Sequence, residues 1–181
     1  MATTREPVAG DVTLHHIVLV GGTPTQWAAP TDESWARRLA DLGKVADHVG
    51  ALWLVLRPYA AEPEPPTAPT RTDVVGGCTV VAAPEADGRS RLAAAAEGLR
   101  AAGADITETS LAVALNAPAT VDPDLVVVLG PSHRLPPSLV WELAYSELVF
   151  VDVAWPDLQP SHLERAVDQY THRHRRFGGL D

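Results

Sequence analysis

Apolar positions along the chain follow two alternating rhythms. Runs rich in β-branched residues, Leu14–Val20, Ala51–Leu56, Val74–Ala82, Leu125–Leu129 and Leu148–Val153, have the length and composition of buried strands. Between them, apolar residues recur three and four apart, the spacing of one helix face. A first helix is predicted from Thr31 or Asp32, with Trp35, Leu39, Leu42, Ala46 and Val49 on one stripe and Gly50 as its stop. Others are predicted from Ser90 to Ala101, from a cap at Asp105 through Ile106, Leu111 and Leu115, and over Pro137–Ser146. The last opens on Ser161 and Glu164, spaced as a capping box, carries Leu163, Ala166, Val167 and Tyr170 inward, and stops at Gly178-Gly179. Strand and helix patterns in alternation predict an α/β fold: one domain over residues 1–181 with a largely parallel central sheet flanked by helices. Residues 1–12 are expected to be a flexible N-terminus. The proline-rich stretch 61–72 suits neither helix nor central strand and is expected to be a loop.

Charge narrows the partners. Fourteen basic residues stand against 23 acidic ones, for a formal net charge of −9. A surface of that sign argues against nucleic acid, whose phosphate backbone needs a basic face. The single cysteine, Cys78, excludes an internal disulfide and fits a reducing, cytoplasmic setting. The first residues lack the basic-then-apolar order of a signal peptide, and the apolar runs are too short to span a membrane.

Local motifs leave chemistry open. The strand ending at Val20 runs into Gly21-Gly22-Thr23-Pro24-Thr25, where α/β proteins often hold phosphate, yet residues 16–30 contain no Asp, Glu, Lys or Arg. The turn is neither a Walker loop nor a dinucleotide fingerprint. It reads either as a backbone anion site or as a plain strand-to-loop turn. His15, His16, His133, His172 and His174 do not have a zinc spacing. The run His172-Arg173-His174-Arg175-Arg176 has two readings: cations that complement a helix C-terminus, or an arginine site for an anion.

Three blocks taken together resemble the cis-prenyltransferases, the undecaprenyl diphosphate synthase family. They are Asp122-Pro123-Asp124-Leu125; Trp141 with Leu143-Ala144-Tyr145-Ser146-Glu147-Leu148 and Trp155-Pro156-Asp157; and Arg175-Arg176-Phe177-Gly178-Gly179. Upstream, Asp87-Gly88-Arg89 with Leu92 is similar to the family's Gly-Gly-Arg segment, and Asp105-Ile106-Thr107-Glu108 to its next helix start. Trp27 stands where the family's Asp-Gly-Asn-Gly-Arg-Trp motif ends. The resemblance implies condensation of isopentenyl diphosphate with an allylic diphosphate in cis geometry. The motif's Asp would help Mg²⁺ to draw off the leaving pyrophosphate.

Departures from the pattern shape the expectation. Counted back from Trp27, that Asp falls on Gly22, or on Gly21 with one residue inserted, and the motif's Arg becomes Gln26. The first phosphate-gripping Arg falls on Val128, the family's Glu on Ser132 and its Ser on Pro136. His133 and Arg134 remain, with Glu147 further on as a candidate metal contact; together with Gly22 they form the residual site. The middle of the chain, where active members build the lipid tunnel, reads as shortened. Arg176 and Gly178 match the C-terminal Arg-x-Gly, which in the family's dimers reaches into the other subunit to hold diphosphate. The expectation is a non-catalytic, Nogo-B receptor-like subunit of a heteromeric enzyme. Its partner would be a full-length catalytic homologue that holds most of the Mg²⁺ ligands and takes isopentenyl and allylic diphosphates. Such a complex would sit in the cytoplasm or peripherally at the membrane. The alternative is a stand-alone short-chain prenyltransferase or cyclase with a reduced site.

Overall fold

A computed structural model describes residues 14–59, 68–130, 135–144 and 146–177, with only the backbone of 174–177. Six strands form one sheet in the order β3-β4-β2-β1-β5-β6: β1 His16–Val20, β2 Trp53–Arg57, β3 Arg71–Val75, β4 Cys78–Ala82, β5 Leu125–Leu129 and β6 Glu147–Val151. All neighbours run parallel except β3, which pairs antiparallel with β4. β5 is a continuous Val/Leu run, and β1 and β2 hold such runs at Ile17–Val20 and Leu54–Leu56, because both faces of a parallel sheet are covered.

On one face, α2 (Asp32–His48) and α5 (Pro160–Phe177) bury Trp35, Leu39, Leu42, Leu163, Val167 and Tyr170 against Ile17, Leu19, Leu54 and Leu56. The other face buries Val18, Val20, Val55, Val126 and Val128 with Leu139. The hairpin of α3 (Gly88–Ala101) and α4 (Glu108–Asn116) packs mainly on itself, and its turn, residues 102–106, is exposed.

Several expectations are refined. The run Val74–Ala82 is not one strand, because Gly76-Gly77 fold it into the β3–β4 hairpin, with the Gly77 N–H donating to Asp47 Oδ1 at 2.7 Å. The expected loop 61–72 therefore ends earlier, at β3, and residues 60–67 lie outside the described residues, as do 1–13. Thr107, not Asp105, caps α4, accepting from the Ser110 N–H. In α5 the helix opens at Pro160, so Ser161 lies inside its first turn, and the Gln159 N–H meets His162 Nδ1 instead. Helix α1 (Pro24–Ala28) was not anticipated; Thr23 and Gln26 make its capping box.

Among the described residues the predicted helix Pro137–Ser146 does not form, and a single 3₁₀ turn, Glu142–Ala144, appears there instead. Tertiary contacts override the local pattern. Gly88 packs against the Pro137 and Ser138 carbonyls, so closely that a Cβ would come within 2.9 Å of both. Buried Glu142 takes Arg91 Nη2 at 2.7 Å and faces Arg57 Nε at 3.8 Å. Trp141 Nε1 donates to Asp122 Oδ1 at 3.0 Å, which also receives Asn116 Nδ2. Two residues on from Asp122, Asp124 Oδ2 accepts the backbone N–H groups of His15 and His16, at 2.7 and 3.0 Å. Both aspartates of the Asp122-Pro123-Asp124 block thus hold the frame together.

Candidate functional site

Strands β1 and β5 are neighbours in space but far apart in sequence, and the chain leaves β1 in the other direction toward β2. Open α/β sheets bind ligands at such a switch point, beyond the carboxyl ends of the strands. A cavity of about 380 Å³ lies there, lined by Gly22, Gln26, Tyr59, Gly130, Asp152 and Trp155 among others.

The glycine turn is tied inward. The Gly21 N–H donates to the Arg57 carbonyl at 3.0 Å, and the Tyr59 N–H to the Gly22 carbonyl at 2.6 Å. Trp27 Nε1 donates to the Gly21 carbonyl at 2.8 Å, and the Thr23 N–H is taken by Gln26 Oε1 at 2.9 Å. The Gly21 and Thr23 donors are thus engaged internally, which favours the structural reading of this turn.

Side chains from three segments then fill the space around it. Trp155 stacks on Trp27 with centroids 5.2 Å apart at 17°, and Trp35 leans on Trp27 at 5.0 Å. Arg38 lies over the Trp155 ring at 4.5 Å and donates to its carbonyl at 3.2 Å. Ring pairs of this kind add about 0.5–1.5 kcal/mol each beyond area burial. At Gly22, where φ is +76°, an added Cβ would fall 2.5 Å from Trp155 Cγ. At Gly21 it would fall 2.6 Å from Leu129 Cδ1 and 2.9 Å from Leu129 Cβ. Both positions onto which the family's carboxylate can be counted are closed, one by an indole and the other by a leucine.

Of the remaining predicted site residues, Glu147 lies away from this cavity. Glu147 opens β6, whereas Asp152 follows its far end, so Glu147 and Gly22 stand roughly 15 Å apart along the strand direction. Glu147 Oε1 accepts from Arg173 Nη1 at 3.1 Å. Helix α5 starts beyond the C-terminal end of β6 and runs back, so its arginine run leaves at the edge opposite the cavity. His133, Arg134 and Gly178 lie outside the described residues, as does the Arg176 side chain. Among the described residues, no group of three or more His, Cys, Asp or Glu side chains could hold a metal. Asp152 is the one carboxylate lining the cavity, so the described residues here do not fit a resident Mg²⁺. Sequence reasoning missed Leu129, Arg38 and Asp152. Their only signal was position: Leu129 ends a strand, Asp152 directly follows one, and Arg38 lies one turn beyond Trp35 in α2.

The sequence model of the undecaprenyl diphosphate synthase family matches residues 59–178. The chain belongs to the cis-prenyltransferase family. It is 46% identical over 77 residues to isoprenyl transferase 2 of Bradyrhizobium diazoefficiens, a stretch that is 42% of this chain and 31% of that one. To the isoprenyl transferase of Neisseria gonorrhoeae it is 39% identical over 103 residues, 56% of this chain and 42% of that one. The chain thus spans less than half the length of these relatives. Its fold matches the crystal structure of a probable undecaprenyl diphosphate synthase from Campylobacter jejuni, with a TM-score of 0.62 at 16% identity over 88% of this chain and 96% of that one. It also matches lavandulyl diphosphate synthase from Lavandula x intermedia in complex with dimethylallyl diphosphate, with a TM-score of 0.59 at 16% identity over 88% and 95%. No described helix is long and apolar enough to cross a membrane.

Proposed function

We propose that this chain is a non-catalytic subunit of a heteromeric cis-prenyltransferase. It pairs with a full-length catalytic homologue and lends Arg176 and Gly178 to diphosphate binding in the partner's site. The observation that carries the reading is the filling of both glycine positions, by Leu129 and by Trp155. A carboxylate cannot return to either position without moving a packed neighbour, and removing one charge-stabilising group commonly costs on the order of 10²–10³ in rate. The course of α5 supports the second half of the reading. Its backbone carries the arginine run to the end of the sheet away from this chain's own cavity, a placement that suits service to another molecule. Mg²⁺ and the isopentenyl and allylic diphosphates then belong chiefly to the partner, and the complex is cytoplasmic or peripheral at a membrane.

The test is co-expression with a full-length homologue that carries the motif Asp. Activity of the pair should exceed that of the homologue alone by at least tenfold, and Arg176→Ala should remove the gain while the two chains still co-purify. A homologue equally active by itself sinks the proposal. One observation favours a second reading: the cavity of about 380 Å³ has room for a five-carbon prenyl group, as a stand-alone short-chain prenyltransferase or cyclase would need. Release of pyrophosphate by the purified chain with Mg²⁺ and dimethylallyl or isopentenyl diphosphate would establish it, and its absence would retire it.

A further inference from the structure

Away from that cavity, five buried polar atoms without a hydrogen-bond partner lie together where β2 ends: Arg57 Nε, Arg91 Nε and Nη1, Ser138 Oγ and Glu142 Oε2. They come from three segments, the last residue of β2, the first turn of α3, and the stretch from Ser138 to Glu142, which opens the 3₁₀ turn. The Arg57, Arg91 and Glu142 side chains are only 8%, 10% and 3% exposed. Folded proteins leave few such atoms unpaired, and a local concentration of them marks a place where a small polar species completes the structure.

The ionic balance points the same way. A single oxygen, Glu142 Oε1, serves both guanidiniums, at 2.7 Å from Arg91 Nη2 and 3.8 Å from Arg57 Nε. Arg91 Nη2 also donates to the Ser138 carbonyl at 2.8 Å. Burial, and then the neighbouring Arg91 charge, bring Arg57 down to about 9, still a cation at neutral pH. Two buried cations share one carboxylate oxygen, and the unused donors are the planar guanidinium N–H groups that suit tetrahedral oxyanions. The unused acceptor, Glu142 Oε2, narrows the choice. A carboxylate oxygen can face an anion only if the anion brings a proton to it.

We propose that Arg57, Arg91, Ser138 and Glu142 form a site for hydrogen phosphate. Its ionised oxygens accept from the two guanidiniums and the Ser138 hydroxyl, and its P–OH donates to Glu142 Oε2. Sulfate has no proton at neutral pH and meets Oε2 with lone pairs alone. A phosphate monoester has lost its second proton above about pH 6, so it is rejected for the same reason. The residues involved differ from those of the glycine turn and the arginine tail, and the site stands whether or not the chain pairs with a catalytic homologue.

Thermal unfolding of the full chain at pH 7.5 reads it out, with sodium phosphate, sodium sulfate and methyl phosphate titrated at matched ionic strength. Phosphate should raise Tm saturably, while sulfate and methyl phosphate should not. Arg91→Gln/Glu142→Gln keeps the net charge of the cluster while removing one guanidinium and the carboxylate, and should lose the phosphate response. Glu142→Gln replaces the acceptor with an amide that can also donate, and should lower the preference for phosphate over sulfate at least tenfold. Should either variant fail to fold, the wild-type titrations decide, with calorimetry of phosphate against sulfate as the second readout. Equal responses to phosphate and sulfate would mean that the cluster does not select an anion that carries a proton. That result overturns the proposal, as does a phosphate response that survives in the double variant.

Discussion

The closing of Gly21 by Leu129 can be measured as an energy of interaction between the two positions. Gly21→Ala places a methyl group 2.6 Å from Leu129 Cδ1 and 2.9 Å from both Leu129 Cβ and Cγ. Real Cβ atoms do not come that close, and three contacts along one side chain cannot all be relieved by turning its tip. Overpacking of this kind costs about 1–3 kcal/mol. Leu129→Ala alone removes a buried side chain from the cluster that includes Ile17, Leu19 and Trp155, for a loss of about 2–5 kcal/mol. In the double variant the contacts with Cδ1 and Cγ are gone and only the 2.9 Å contact with the Cβ of position 129 remains, so most of the clash is relieved and part of the cavity closes. The losses should therefore fall short of their sum by about 1–3 kcal/mol, the range seen for residues in contact. Urea unfolding of the four proteins gives the cycle, with unchanged m values as the check that midpoints report native-state packing. Losses that add to within about 0.5 kcal/mol would show that Leu129 does not occupy the space beside Gly21, and would remove the steric argument against a carboxylate there.

Two further outcomes follow from the frame. Burial lowers the pKa of His16, and although its Nδ1–H donates to the Val121 carbonyl at 2.9 Å, its Nε2 is buried without a partner. Below about pH 6.5 the unfolded chain takes up a proton that native His16 refuses, so stability falls with acidification by up to about 1.4 kcal/mol per pH unit. In His16→Gln the decline of the urea midpoint from pH 7.5 to 5.5 should be shallower, and an unchanged slope would exonerate His16. Asp124→Ala leaves the His15 and His16 N–H groups without their shared acceptor and should cost about 2–4 kcal/mol, whereas Asp124→Asn, which keeps an oxygen, should cost less. Urea midpoints check both variants, and equal losses in the two would mean that the acceptor oxygen is not what matters.

The sequence was most legible where one principle acts alone. Leu125–Leu129 is a strand to the residue because a fully buried parallel strand needs five apolar residues and nothing else. Thr31 and Gly50 bracket α2 because capping is local: Thr31 accepts from the Ser34 N–H, and Gly50 takes a φ of +84° one residue past the cap. Errors arose where a distant partner decides. Periodicity over Pro137–Ser146 suggested a helix, but Glu142 is drawn to guanidiniums 85 and 51 positions earlier in the chain, and neither pairing leaves a local trace. The candidate site divided in the same way. The missing carboxylate could be counted from Trp27, but its replacement by Leu129 and Trp155 required strands that only tertiary structure sets side by side.

The weak attachment of the α3–α4 hairpin has a practical use. Its solvent-facing tip is far in sequence from the strands, and Gly103 has open space where a side chain would begin. Exposed tips of this sort tolerate added sequence well. A fluorophore or affinity peptide grafted at 102–106 would therefore ride on the native chain and report on assembly with another protein while leaving both chain termini untagged.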